Sequence, residues 1–210
     1  MKLIFFGPPG AGKGTQAALL AETLGVPTVS TGNMIREEIA AGTELGLQAQ
    51  QAINAGELLS DGIVIGMIRT RLAKPDCAGG FILDGFPRTV AQAEGLCEMG
   101  IDIDKVIDIE VADDVLIKRM SGRRVCLKCG ATYHLENNPS PAGDRCGRCG
   151  EPLSVRKDDR EEVVRERLEV FHRQTEPLQA YYRDKGILFP VDGSAGIDEI
   201  AQAIAEIVRG

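Results

Sequence analysis

Apolar residues in this chain gather into five short runs, separated by longer stretches in which they recur every three or four positions. The runs cover residues 3–6, 27–30, 81–84, 105–111 and 187–191. A short, mainly apolar run predicts a buried strand, and helical stretches between such strands predict parallel βαβ units. The pattern therefore predicts an α/β protein with a doubly wound, five-stranded parallel sheet flanked by helices. A helical pattern over residues 16–24 follows the first run. The last helix is the plainest: Ile197, Ile200, Ala201, Ile204 and Val208 share one face, with Asp198, Glu199 and Glu206 elsewhere. Two segments do not fit this plan. Residues 31–60 read as short helices broken by Gly42, Gly46 and Gly56, and residues 122–159 are rich in Cys, Gly and Pro. Each follows an element that leads out of the core, so both read as insertions.

Composition narrows the picture. At 210 residues, 43% hydrophobic and 26% charged, the chain can bury one sizeable core with a small inserted module. With no Trp the core is aliphatic. A net charge of −7 argues against a general nucleic-acid or membrane surface and leaves room only for a local basic cleft. The apolar start is too short for a secretory leader and no stretch is long enough to span a membrane, so a cytoplasmic protein is expected. In that compartment the six cysteines are thiols or metal ligands rather than disulfides.

The chemistry concentrates directly after the first strand, in Gly7-Pro8-Pro9-Gly10-Ala11-Gly12-Lys13-Gly14-Thr15. A strand, a glycine-rich turn and a helix with Lys13 at this spacing form a P-loop. Its glycines let backbone N–H groups face a phosphate, the helix N-terminus adds partial positive charge, and Lys13 reaches the terminal phosphates. The residue after Lys13 is Gly14 rather than Ser or Thr. The hydroxyl for Mg²⁺ is then that of Thr15, or water takes its place. Asp84 ends another apolar run, as an acid that orients Mg²⁺ or its waters does in P-loop enzymes.

Cys126 and Cys129, then Cys146 and Cys149, form two CxxC pairs sixteen residues apart, each followed by Gly. This is zinc-ribbon spacing, and four thiolates would close a structural Zn²⁺ site. A redox CxxC or two disulfides are the alternatives. Cys77 and Cys97 read as buried apolar fillers. Arg119 and Arg123 are expected one turn apart on a single helix. Asp158 and Glu161 are expected to form a capping box, with Arg167 two turns along that helix from Arg160. His134 and His172 have no evident triad partner. Taken together, the arginines suit a cage for phosphates.

Together these residues resemble the adenylate kinases, in their long form with a four-Cys lid. The resemblance covers essentially the whole chain. It rests on residues 7–15, Ser30-Thr31-Gly32 with Arg36, Asp84-Gly85-Phe86-Pro87-Arg88 with Gln92, Gly122-Arg123-Arg124, and Lys157-Asp158-Asp159. It implies a core of residues 1–29, 60–121 and 160–210, an AMP-binding insertion over 30–59 and a zinc-bearing lid over 122–159, both inserted segments being mobile. It implies reversible phosphoryl transfer from MgATP to AMP, giving two ADP, by a monomer that binds neither nucleic acid nor membrane. ATP would be held by Gly10, Ala11, Gly12, Lys13, Gly14, Thr15, Arg119, Arg123, Thr132, Tyr133 and the backbone of Ala195, where the family often has a larger polar residue. AMP would be held by Thr31, Arg36, the backbone of Glu57, Leu58 and Leu59, by Gly85, Phe86, Pro87, Arg88 and Gln92, and by Arg156 and Arg167. Lys13, Asp84, Arg88, Arg123, Arg156 and Arg167 would carry the catalysis. Other readings are a nucleic-acid-dependent ATPase, a nucleotide sensor without activity, and a kinase for another nucleoside monophosphate. The first predicts a ribbon with interleaved aromatics, and residues 122–159 hold only Tyr133. The second has no use for so many arginines.

Overall fold

A computed structural model describes residues 1–55 and 57–210; Gly56, expected to break a helix, lies outside them. β1 (Lys2–Phe6) leads through the glycine-rich loop into α1 (Lys13–Leu24). β2 (Thr28–Ser30) runs into α2 (Thr31–Ala41), α3 (Glu44–Ala55) and α4 (Asp61–Leu72). β3 (Phe81–Asp84) precedes α5 (Val90–Glu98), and β4 (Lys105–Glu110) precedes α6 (Asp113–Ser121). β5 (Arg123–Cys126), β6 (Thr132–His134) and β7 (Leu153–Ser154) come next. α7 (Glu161–Val170), α8 (Leu178–Asp184), β8 (Leu188–Asp192) and α9 (Ile197–Arg209) complete the chain.

The main sheet has the order β2-β3-β1-β4-β8, and every neighbouring pair is parallel. From β1 the chain order departs to β3 on one side and β4 on the other. The crevice at the carboxyl ends of these strands is where such sheets bind ligands. Register places Phe5 beside Asp84 and Phe6 beside Asp108, so the P-loop and the residues after Asp84 emerge at one edge.

Both faces of the sheet are covered, which explains why its central strands β1 and β3 read as nearly continuous apolar runs, while the edge strands β2 and β8 are more mixed. Leu3 and Phe5 pack with Ile82, Ile107, Leu116, Leu168 and Ile204 on one face. Ile4 and Phe6 pack with Val29, Ile68, Leu83, Leu96 and Phe171 on the other. Each such buried side chain contributes about 1.5–3 kcal/mol of transfer free energy. α9 buries Ile200, Ile204 and Val208, the face its pattern predicts.

Three local expectations are corrected. Gly42 does end α2, in a left-handed C-cap, but Gly46 lies inside α3 and breaks nothing. A side chain there would collide with the Glu38 carbonyl of α2, so Gly46 permits a close helix crossing. Cys77 is buried as expected, whereas Cys97 is exposed. It falls on the outer side of α5, whose buried side is Gln92, Ala93, Gly95 and Leu96. Finally, α6 ends at Ser121 and Arg123 begins β5, so Arg119 and Arg123 share no helix. The segment from β5 to β7 is a small antiparallel sheet of order β6-β5-β7.

Candidate active site

The P-loop takes the shape its glycines allow. Gly12 is the N-cap of α1 with φ 98°, a conformation that a side chain would strain, and no side chain caps this helix end. The helix N-terminus is therefore open to an anion. Lys13 donates from Nζ to the carbonyls of Gly7 and Pro8, each at 2.7 Å. Burial pushes its ammonium down to about 8; Asp84 offsets part of this, and Arg88, Arg167 and Arg123 add to it. Asp84 lies against the loop: a Cβ on Gly14 would stand 3.5 Å from Asp84 Oδ2. Thr15, on the first turn of α1, and Asp84, at the end of β3, each carry oxygen donors of the kind that suits Mg²⁺ and its waters.

A cleft of about 1060 Å³, counting its open mouth, extends from Lys13 past Thr31, Arg36, Glu57, Leu58, Leu59, Gly85, Pro87, Arg88, Gln92 and Arg167. At its base Gly85 has φ 75°, and its missing side chain leaves room for two groups to converge on its carbonyl. These are Thr31 Oγ1 at 2.8 Å and Arg88 Nε at 2.8 Å. Arg36 donates to Asn33 Oδ1 at 2.7 Å. Phe86, between Gly85 and Pro87, is buried in the core and does not line the cleft.

The cations meet at the residues joining the small sheet to α7. Arg123 grips both oxygens of Asp159, whose side chain is fully buried, with Nε at 2.8 Å from Oδ2. Arg167 donates to Asp158 Oδ2 at 2.7 Å and approaches Asp159. Burial would raise the Asp158 carboxyl, but Arg167, Arg123, Arg36 and Arg156 outweigh it and hold the group below the usual carboxylate range. Burial pushes Arg156 down to about 9 and Arg88 to about 10, neighbouring guanidinium groups adding to both. A guanidinium stays protonated at neutral pH all the same, and Arg156 Nε is buried without a partner among the described residues. Among the described residues, the six cations Lys13, Arg36, Arg88, Arg123, Arg156 and Arg167 are offset chiefly by Asp84, Asp158 and Asp159, with Glu57 further along the same cleft. A buried excess of fixed positive charge is built to receive a polyanion.

On the other side of the P-loop, Arg119 donates to the Gly193 carbonyl at 2.8 Å, which brings it to the loop carrying Ala195. Thr132 and Tyr133 lie on β6. The Tyr133 hydroxyl is 3.4 Å from Cys146 Sγ, so what this residue offers a nucleotide is its backbone and ring.

The four cysteines of the CxxC pairs come together, their sulfurs all within 4.8 Å of one another. Zn–S bonds of about 2.3 Å in a tetrahedron put sulfurs about 3.8 Å apart. The observed 3.4 Å for Cys126–Cys149 and 3.5 Å for Cys129–Cys146 suit that geometry. Gly130 and Gly150 both take positive φ after their pairs, and the Arg148 N–H approaches Cys146 Sγ at 3.4 Å. The donor set fits a closed four-thiolate metal site.

Sequence reasoning misses some partners. Asp158 is no helix cap: α7 begins after Arg160, Asp158 pairs with Arg167, and Glu161 pairs with Arg165. His172 is not isolated but bridges Asp113 and Glu176 on the surface. Asp61, the first residue of α4, carries no signal of its role in the spacing; it accepts from Thr89 and from Gln92. An acid at the start of a helix looks the same in sequence whether or not it has a distant partner.

The adenylate kinase family model matches residues 5–187. An adenylate kinase of Archaeoglobus fulgidus is 51% identical over 213 residues, covering 100% of this chain and 98% of that one. One from Methanocella arvoryzae is 49% identical, covering 100% and 99%. One from Bacillus licheniformis is 50% identical, also covering 100% and 99%.

Proposed function

The chain belongs to the adenylate kinase family, catalysing ATP + AMP to two ADP, and we propose how its residues divide that work. ATP lies along the P-loop from Gly10 to Thr15, with Arg119, the Ala195 backbone and the Thr132–Tyr133 edge around its base and sugar. AMP lies across the cleft among Thr31, Arg36, residues 57–59, Gly85, Arg88 and Gln92. Arg123, Arg156 and Arg167 stand between the two. The observation that carries this reading is the buried excess of cations reaching from Lys13 to Arg167 along one cleft. One phosphate chain leaves such a set under-used; a triphosphate meeting a monophosphate fills it.

The chemistry then needs little beyond placement. The phosphate oxygen of AMP is ionised at neutral pH, so no general base has to accept a proton. That oxygen attacks the γ-phosphorus in line with the departing ADP. Lys13 and the arginines neutralise charge on the transferring group and fix its direction, with no reorganisation at the moment of reaction. Mg²⁺ carried with ATP, facing Thr15 and Asp84, supplies further charge neutralisation when bound. Residues 30–59 act as an AMP-binding insertion and 122–159 as a lid, excluding water as a competing acceptor. One structural Zn²⁺ on Cys126, Cys129, Cys146 and Cys149 holds that lid together. We read the protein as a cytoplasmic monomer, since a single chain carries both nucleotide subsites.

Gln92 makes AMP the preferred acceptor, because its amide offers both a donor and an acceptor to an adenine edge. A site built for paired hydrogen bonds rejects a base that leaves them unmade. In a coupled assay over AMP, GMP, CMP and UMP, kcat/KM for AMP is expected to exceed that for CMP by about 10² or more. Comparable values for AMP and CMP would refute the assignment of the AMP subsite.

A further inference from the structure

The side-chain amide of Gln92 is held from two sides by groups that permit one orientation only. Its Oε1 accepts the backbone N–H of Arg88 at 2.8 Å. Its Nε2 donates to Asp61 Oδ1 at 2.8 Å. A backbone N–H can only donate and a carboxylate can only accept, so the two contacts favour the same orientation and their preferences add. Asp61 is itself fixed: the same Oδ1 accepts from Thr89 Oγ1 at 2.9 Å, and Thr89 caps α5 by accepting the Gln92 N–H at 3.2 Å. Gln92 is 1% exposed, so water does not compete for these bonds. One N–H and one lone pair of the amide are left over, and Gln92 lines the cleft.

An unrestrained amide reads either kind of purine, since turning it over exchanges its donor for its acceptor. A 6-amino purine offers a donor at C6 and an acceptor at N1; a 6-oxo purine offers the reverse. We propose that Asp61 is a specificity-determining positioning residue that locks the Gln92 amide in the orientation complementary to a 6-amino purine, so that 6-oxo purine monophosphates are refused. This rests on the reading that Gln92 faces the acceptor's base. With Asp61 in place, turning the amide over sets a donor against Arg88 N–H and an acceptor against a carboxylate. Without the carboxylate only the first mismatch remains.

The test is kcat/KM for AMP and for IMP, a 6-oxo purine without the 2-amino group of GMP, in the wild-type enzyme, Asp61→Asn, Asp61→Ser and Gln92→Met. Asn and Ser each either donate or accept, so both remove the carboxylate's share of the lock and leave only the Arg88 N–H opposing the turned amide, and the pair guards against one variant folding poorly. The IMP:AMP ratio of kcat/KM is expected to rise tenfold or more in both Asp61 variants, chiefly through KM. A role limited to supporting α4 would lower both substrates together and leave the ratio unchanged, which overturns the proposal. If the ratio moves in Gln92→Met but not in the Asp61 variants, the lock is wrong and the base-reading role of Gln92 stands. If Gln92→Met leaves the ratio at its wild-type value, Gln92 does not read the base, and both claims fall.

Discussion

Replacing Lys13 with Met is expected to lower kcat/KM by about 10³-fold, of the order lost when one preorganised charge is removed from a transition-state site. Lys13 is the cation seated inside the P-loop, and no other side chain donates to the Gly7 and Pro8 carbonyls among the described residues. The fold is expected to survive. A buried ammonium near Arg88, Arg123 and Arg167 is a cost to the free protein, so the melting temperature should hold or rise slightly. The same residue is expected to set the alkaline limit of the wild-type enzyme. Its folded-state pKa of about 8 lies below the ordinary 10.5. Below pH 8 the folded protein therefore carries the full cost of charging Lys13, and that cost is relieved between pH 8 and 10.5 as the folded form releases its proton first. Nucleotide phosphates favour the charged form. kcat/KM, which reports the free enzyme, is thus expected to fall above about pH 8, while kcat holds to higher pH. Near-normal turnover in a folded Lys13→Met protein, or kcat/KM flat to pH 9.5, would contradict this role.

The second large effect is on stability. The turn between the cysteine pairs, Asn137-Asn138-Pro139-Ser140-Pro141-Ala142-Gly143, has few apolar side chains, and Leu127, Leu135 and Val155 of the same segment are exposed. Such a module cannot hold itself by burial and needs a staple, which a closed thiolate site supplies. Cys146→Ser is expected to abolish stoichiometric zinc and lower the melting temperature by about 5–15 °C, the shift that a loss of a few kcal/mol gives a protein of this size. kcat at moderate temperature should change by about threefold or less, because four protein ligands leave the metal no open position for substrate. Elemental analysis and a thermal melt decide the stability claim. A metal-free protein that is fully stable and active would end it. Loss of single-turnover chemistry on chelation, with fold and nucleotide binding intact, would make the metal catalytic instead.

Features set by local spacing are legible in the amino-acid sequence. The five apolar runs form the five strands of the main sheet; the central ones are plainest because burial on both faces makes them nearly all apolar. The glycines of the P-loop and the CxxC pairs are readable because a backbone conformation or a metal dictates residue types at fixed short intervals. The arginines are harder. Their identities stand out, but their partners do not. Arg119 and Arg123 have helical spacing, yet α6 stops at Ser121 and sends them to different places, one to the Gly193 carbonyl and one to Asp159. Asp158 has the spacing of a helix cap, but an ion pair with Arg167 in a buried cleft wins over a cap bond at a helix end. Asp61 meets Gln92 only because α4 and α5 pack together, a juxtaposition that no local pattern encodes.

The central claim is that the γ-phosphoryl group passes straight from ATP to AMP, aligned by Lys13 and the arginines, with no side chain carrying it in between. The stereochemistry at phosphorus tests this most directly. ATP made chiral at its γ-phosphorus with oxygen isotopes is turned over with AMP, and the configuration of the transferred group in the product ADP is determined. A single in-line displacement inverts that configuration, and inversion is the predicted result. Retention would mean two displacements and a phosphorylated protein group between them, which would contradict the account.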